Sequence, residues 1–162
     1  DGRNKYFMTD SGAMQTGWLK QDNGWYYIDS SGSMRTGWVN DGGTWYYMED
    51  SGRMKTGWID ISNQRYFLSP SGAMKTGWIN DNNTWYYLSG SGAMSKGMIN
   101  VNNVSYYLDE NGRMLANTTV NVNGTEYNID ASGAMTPVAT ESTTAQETST
   151  VSTQASVGPR AN

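Results

Sequence analysis

The sequence predicts an all-β protein: a β-solenoid of stacked β-hairpin repeats, each of about 20 residues, with a disordered C-terminal tail. Three observations lead there. Gly-Trp recurs at Gly17-Trp18, Gly37-Trp38, Gly57-Trp58 and Gly77-Trp78, with Gly97-Met98 in the fifth slot, so the period is 20 residues. Inside each repeat, two short runs of β-forming residues flank a turn signal. After Met135 the composition changes to a Ser/Thr-rich stretch without aromatic residues. A unit this small, with a single hairpin, cannot bury a core alone and must be covered by its neighbours.

Taken in order, Lys5-Tyr6-Phe7 reads as the end of a unit whose first strand is missing, so the chain is expected to be a piece of a longer protein. The triplets Trp25-Tyr26-Tyr27, Trp45-Tyr46-Tyr47, Arg65-Tyr66-Phe67, Trp85-Tyr86-Tyr87 and Ser105-Tyr106-Tyr107 then mark the second strands of five units. In one of them GWVN and TWYYM are separated by Asp41-Gly42-Gly43; Asp22-Asn23-Gly24 and Asp81-Asn82-Asn83 hold the same place elsewhere. Such residues tolerate positive φ and favour tight turns. Gly-x-Met closes each unit, at Met14, Met34, Met54, Met74, Met94, Met114 and Met135, the last spacing being 21 residues. Residues 1–135 therefore form one repeat domain with a partial first unit and degenerate last ones. Residues 136–162 hold 11 Ser or Thr in 27 positions and no aromatic, too little apolar surface to offset the entropy of ordering, and read as a linker or tail.

Strand alternation divides each hairpin into two faces. With Lys20 opposite Trp25 and Trp18 opposite Tyr27, the residues Leu19, Tyr26 and Ile28 point the other way. That second face hardly changes: Val39/Tyr46/Met48, Ile59/Tyr66/Leu68, Ile79/Tyr86/Leu88 and Ile99/Tyr106/Leu108. It is expected to pack the solenoid. The first face varies. It carries two Trp in three units, becomes Trp58/Arg65/Phe67 with Asp60 opposite Arg65 in the third, Met98/Ser105/Tyr107 in the fifth and Thr118/Glu126/Asn128 in the last. A ladder of aromatic rings that folding can discard reads as a ligand surface.

Composition limits the ligand. There is no His and no Cys among 162 residues, so no imidazole base, thiolate nucleophile or Cys/His metal site is available, and no cofactor or metal is expected. Asp22, Asp29, Asp41, Glu49, Asp50, Asp60, Asp81 and Asp109 are scattered over turns and loops and read as turn residues, so the chain is not expected to be an enzyme. A net charge of −4 argues against nucleic acid. No apolar run reaches the roughly 20 residues of a membrane span. Two ligand classes suit rings: a quaternary ammonium caged by ring faces, and a sugar stacked on an indole with polar groups beside it. An unbranched Met can close the remaining side of a cage.

The stretches GWVNDGGTWYYMEDSGRMKT and GWINDNNTWYYLSGSGAMSK closely resemble the choline-binding, or cell-wall-binding, repeats of Gram-positive bacteria and their phages, and the likeness runs from about residue 5 to 135. The resemblance implies choline held between consecutive hairpins, by both Trp of one unit and the last aromatic of the next triplet, often beside a Met. On this sequence that gives Trp18, Trp25 and Tyr47; Trp38, Trp45 and Phe67; and Trp78, Trp85 and Tyr107 as three choline-binding sets. Trp58 and Tyr87 with Arg65 in place of a ring make a weak or degenerate fourth. Met98, Ser105 and Asn128 give no cage and imply a terminal cap. The implied partner is choline or phosphocholine of wall teichoic or lipoteichoic acid, and the implied location is secreted, on the cell wall or surface. A glucan-binding module is the alternative, although related repeats of that kind more often read Lys-Tyr-Tyr-Phe where Trp-Tyr-Tyr stands here. A further alternative is the targeting part of a wall hydrolase whose catalytic domain lies outside this piece. Self-association through the aromatic solenoid is a third expectation.

Overall fold

The computed structural model describes residues 7–9 and 11–139, and every regular element among them is a β-strand. No described helix is long and apolar enough to cross a membrane. In chain order the strands are β1 (Gly17–Gln21), β2 (Gly24–Ile28), β3 (Gly37–Asp41), β4 (Thr44–Met48), β5 (Gly57–Ile61), β6 (Gln64–Leu68), β7 (Gly77–Asp81) and β8 (Thr84–Leu88). They continue as β9 (Gly97–Val101), β10 (Val104–Leu108), β11 (Thr118–Val122), β12 (Thr125–Ile129) and β13 (Met135–Pro137). Consecutive strands pair into separate antiparallel hairpins, and only the last acquires a third strand. The cross-strand register is the expected one, with Trp18 opposite Tyr27 and Lys20 opposite Trp25.

One strand of each of these hairpins runs one residue further into the turn than the sequence suggested, β3 to Asp41, β7 to Asp81 and β2 back to Gly24, because a two-residue loop suffices. Gly42 and Gly43 take φ of 57° and 85°, and Asn82 and Asn83 take 50° and 62°. Both central residues with positive φ give the turn whose twist matches its strands. Ser62 adopts φ of 49° in the same place, where a side chain without a backbone-mimicking amide is less at ease.

The core runs along the ends of the second strands. Ile28, Met48, Leu68, Leu88 and Leu108 are fully buried, and each bridges the Met that closes its own unit, Ile28 with Met34 through Leu108 with Met114. Truncating one of these to Ala would cost about 2–5 kcal/mol. Leu19, Val39 and Ile59 are buried beside them. Neighbouring units interlock through the same Met residues. A Cβ at Gly72 would stand 2.3 Å from the sulfur of Met54, and the relation recurs from Gly52 on Met34 to Gly133 on Met114. Glycine is thus required where each loop lies on the preceding Met.

Both ends differ from the sequence expectation. Of the first unit, Lys5 and Tyr6 lie outside the described residues, while Phe7 packs on the cluster of Leu19, Tyr26 and Ile28 and its carbonyl accepts the amide of Gln15. In the last unit the residue on the outward face opposite Asn128 is Thr119, not Thr118. The extra residue behind the 21-residue spacing falls before the strand, where Asn117 with φ of 51° absorbs it, and Thr118 takes the slot that glycine holds elsewhere. The repeat domain also continues past Met135: β13 pairs with β12 through Pro137, and the amide of Val138 donates to Glu126. The rest of the proposed tail, residues 140–162, lies outside the described residues.

Candidate functional site

The outward Trp of each second strand stays open to solvent. Trp25, Trp45 and Trp85 are 41%, 43% and 45% exposed, an expensive display for indoles in a fold this short of apolar mass. Each forms one wall of a cleft between hairpins. In the first, Trp18 and Trp25 stand nearly perpendicular, 83° apart with centroids 6.5 Å from each other. Tyr46 of the next hairpin closes against Trp18 at 4.6 Å. Met54, Pro70 and Ser71 complete a cleft of about 370 Å³. The second cleft joins Trp38, Trp45, Tyr66, Met74 and Ser91, and the third Trp78, Trp85, Tyr106, Met114 and Ser132. Trp45 and Trp85 again stand 6.4 Å from their partners at 87° and 86°.

The third ring is therefore the middle tyrosine of the next triplet, not its last aromatic. Tyr47, Phe67 and Tyr107 were expected there. Instead Tyr47 packs on Trp38 of its own hairpin at 5.2 Å and Phe67 on Trp58 at 5.0 Å, while Tyr107 lies opposite Met98. The pleat explains the difference. Tyr47 shares a face with Trp45, and that face looks toward the following hairpin. Only a residue of the opposite face, Tyr46, can meet the preceding hairpin's Trp. The packing face and the ligand face thus meet at every junction, and the middle tyrosine belongs to both.

In the fourth cleft Tyr86, not Tyr87, lies against Trp58, at 4.9 Å. Tyr87 packs instead on Trp78 of its own hairpin at 5.1 Å. Arg65 replaces the second indole, with its guanidinium carbon 4.9 Å from the centre of the Trp58 ring. The fifth and sixth hairpins present Met98, Ser105 and Asn128 and build no ring-lined cleft among the described residues.

Several partners were not read from the sequence. Trp18 Nε1 donates to Asp41 and Trp58 Nε1 to Asp81, both at 2.9 Å, so these carboxylates fix the indole planes across a junction. Their counterparts in the intervening hairpins are Ile61 and Val101. The spacing of 23 residues between Trp and Asp recurs in the sequence and was the available signal. The clefts' far lips, Ser71, Ser91 and Ser132, come from two hairpins further on. Ser71 and Ser91 are tied to Ser69 and Ser89 by hydroxyl contacts of 2.8 Å. Ser132 instead donates its amide and hydroxyl to Asp130. The Ser132 hydroxyl and the loop amides hold the Asp130 carboxyl below the usual aspartate value despite some desolvation. Asp29 is lowered likewise, by Ser31 and Ser33.

Rings at right angles with a thioether at one side form a box that suits a methylated cation, and comparison with known proteins fits. A choline-binding repeat model matches residues 15–56 and 55–97, and a cell wall binding repeat model matches residues 99–114. The chain belongs to the choline-binding repeat family. No curated protein matches it by sequence. Among solved structures, CbpJ of Streptococcus pneumoniae TIGR4 is 44% identical over 84% of this chain and 46% of its own, with a TM-score of 0.76. Choline binding protein F of the same species is 44% identical over 81% of this chain and 43% of its own, at 0.73. An endolysin of phage Cp-1 complexed with choline is 31% identical over 75% and 37%, at 0.54. This choline-binding repeat module thus spans less than half the length of those proteins.

Proposed function

We propose that the module anchors a surface or secreted protein by holding the choline groups of wall teichoic or lipoteichoic acid in three clefts, one at each junction lined by two Trp, a Tyr and a Met. The observation that carries this is the perpendicular indole pair, half-buried on one side and exposed on the other, closed by the next hairpin's Tyr at Trp18/Trp25/Tyr46, Trp38/Trp45/Tyr66 and Trp78/Trp85/Tyr106. Ring faces attract a quaternary ammonium electrostatically and give its methyl groups apolar contact. The carboxylates here fill turn, loop and junction roles: Asp29 and Asp109 accept loop amides, Asp41 and Asp81 accept indoles, and Asp60 pairs with Arg65. Catalysis, where the whole protein has any, belongs to a domain outside this piece.

Three ring contacts at roughly 0.5–2 kcal/mol each give about 4 kcal/mol, a millimolar site. Anchoring then depends on several clefts engaging one polymer, where linkage raises avidity by about 10²–10⁴. The test is a choline titration read by tryptophan fluorescence and thermal melting, with a soluble glucan in parallel. Millimolar saturation at three sites per chain with a rising Tm supports the anchor. Silence to choline with a response to glucan would move the module to the carbohydrate-binding class.

A further inference from the structure

The fourth cleft repeats the frame of the others. Trp58 and Tyr86 meet at 4.9 Å, within the 4.6–5.0 Å of the other three junctions. The amide of Met94 donates to the carbonyl of Arg65, as those of Met54, Met74 and Met114 do to Trp25, Trp45 and Trp85. Only side chains have changed. Arg65 stands in the indole's place, and Glu110 with Asn111 stands where the first cleft has Pro70 and Ser71.

In the ring-lined clefts the second indole keeps 6.4–6.5 Å from the first, leaving space between the two. The Arg65 guanidinium carbon lies 4.9 Å from the Trp58 centroid, inside the roughly 6 Å reach of a cation–π contact. Its Nε is 3.7 Å from Asp60, which holds the arm from the other strand. A guanidinium is always charged and stacks flat on indoles.

We propose that Arg65 is a built-in occupant of the fourth cleft: its guanidinium takes on Trp58 the place that a quaternary ammonium takes at the other junctions. The cleft binds no choline, and the junction between the hairpins β5–β6 and β7–β8 is closed without ligand. The neighbouring junctions share the same Trp–Tyr closure, but the space between their two indoles is filled only when choline arrives. The solenoid therefore has a permanently filled joint with ligand-filled joints on both sides.

This rests on the choline reading of the other clefts, so two measurements are paired. The first is hydrogen exchange on the native chain without choline, read at the four equivalent amides Met54, Met74, Met94 and Met114. Met94 should exchange at least several-fold more slowly than the other three, and Arg65→Gln should abolish that advantage. Saturating choline should slow the other three and leave Met94 unchanged. Equal exchange at all four in the absence of ligand overturns the proposal, whatever choline does. The second is binding stoichiometry by equilibrium dialysis with labelled choline. The native chain should take three per chain, Arg65→Gln three, and Arg65→Trp four. The gained site keeps the carboxylates Asp60 and Glu110 at its lips against the single cation Lys96, a balance that favours a cation. Four choline on the native chain, or three on a folded Arg65→Trp variant, overturns the proposal. No choline on the native chain defeats the anchor reading instead, and the exchange comparison still decides the role of Arg65.

Discussion

At the scale of single residues, the two aromatic positions of a second strand have different duties. Trp85 is 45% exposed and lines one cleft, with little of its surface needed by the core. Trp85→Ala should reduce choline stoichiometry from three to two while shifting stability by less than about 1 kcal/mol, the range of a surface change; fluorescence titration and denaturant unfolding check both. Tyr106 pairs with Ile99 inside its hairpin and closes on Trp78 at 4.8 Å. Tyr106→Ala should therefore lose the same site and also destabilise by about 2–4 kcal/mol. If Tyr106→Ala spared stability, the middle tyrosine would belong to the ligand alone. The aromatic sets were half legible. Both Trp of each site follow from the Gly-Trp and triplet spacings. The third ring does not follow from spacing, because triplet neighbours differ only in which face of the pleat they occupy. Alternation applied across a junction, not just within one hairpin, selects Tyr46 over Tyr47.

At the scale of the hairpin and its closing loop, the loop positions two cleft walls together. Gly72 holds φ of 84° and lies on Met54, whose side chain lines the first cleft. Gly72→Ala adds a Cβ in a left-handed conformation, costing about 1–2 kcal/mol, and pushes the Met54 thioether aside. A lower Tm together with weaker choline binding at Trp18/Trp25 should result, and cleft-specific indole signals in NMR would read it. The loops also respond unequally to acid. Ser132 at the third cleft is held by Asp130, whose folded pKa is lowered, while Ser71 and Ser91 are held by hydroxyls that do not titrate. A lowered folded pKa adds stability above the unfolded value, near the ordinary 3.8, and loses it as pH falls through the folded one. Choline carries a permanent charge, so the ligand is unaffected. Acid titration below about pH 4 should thus weaken the third cleft before the second, whose Ser91 is held by a hydroxyl and whose Trp38 has Ile61 where Trp18 has Asp41, and equal loss at those two would refute the role of Asp130. The turn types were readable from Gly-Gly and Asn-Asn pairs. The 21-residue unit was readable only as a length, since the sequence does not say on which side of the strand the extra residue falls.

At the scale of the molecule, the hairpins form a one-dimensional chain of junctions in which each unit is stabilised by its neighbours and by whatever fills the clefts between them. Periodicity made that architecture legible, whereas the joint set by Arg65 shows only when its side chain is placed against Trp58. The arrangement distinguishes free choline from choline on a polymer. Free choline meets the three clefts independently, so Trp45→Ala should remove one third of the binding capacity and leave the affinity of the remaining sites unchanged. A polymer that bridges clefts gains the effective concentration of each further site, and losing the central one forces any bridge to span from the first cleft to the third. Retention on choline-bearing teichoic acid should fall by about tenfold or more for Trp45→Ala, within the roughly 10²–10⁴ that linkage supplies. For Trp85→Ala the fall should be smaller, and for Trp25→Ala intermediate, because the second and third clefts that Trp25→Ala leaves are bridged only by a polymer that also spans the closed fourth junction. That junction lies between the second and third clefts, so the pair left by Trp85→Ala, the first and second, is the only adjacent one. Trp85→Ala should consequently retain the polymer best of the three. Equal losses for all three variants would mean that the clefts act singly and that avidity does not hold the module to the wall.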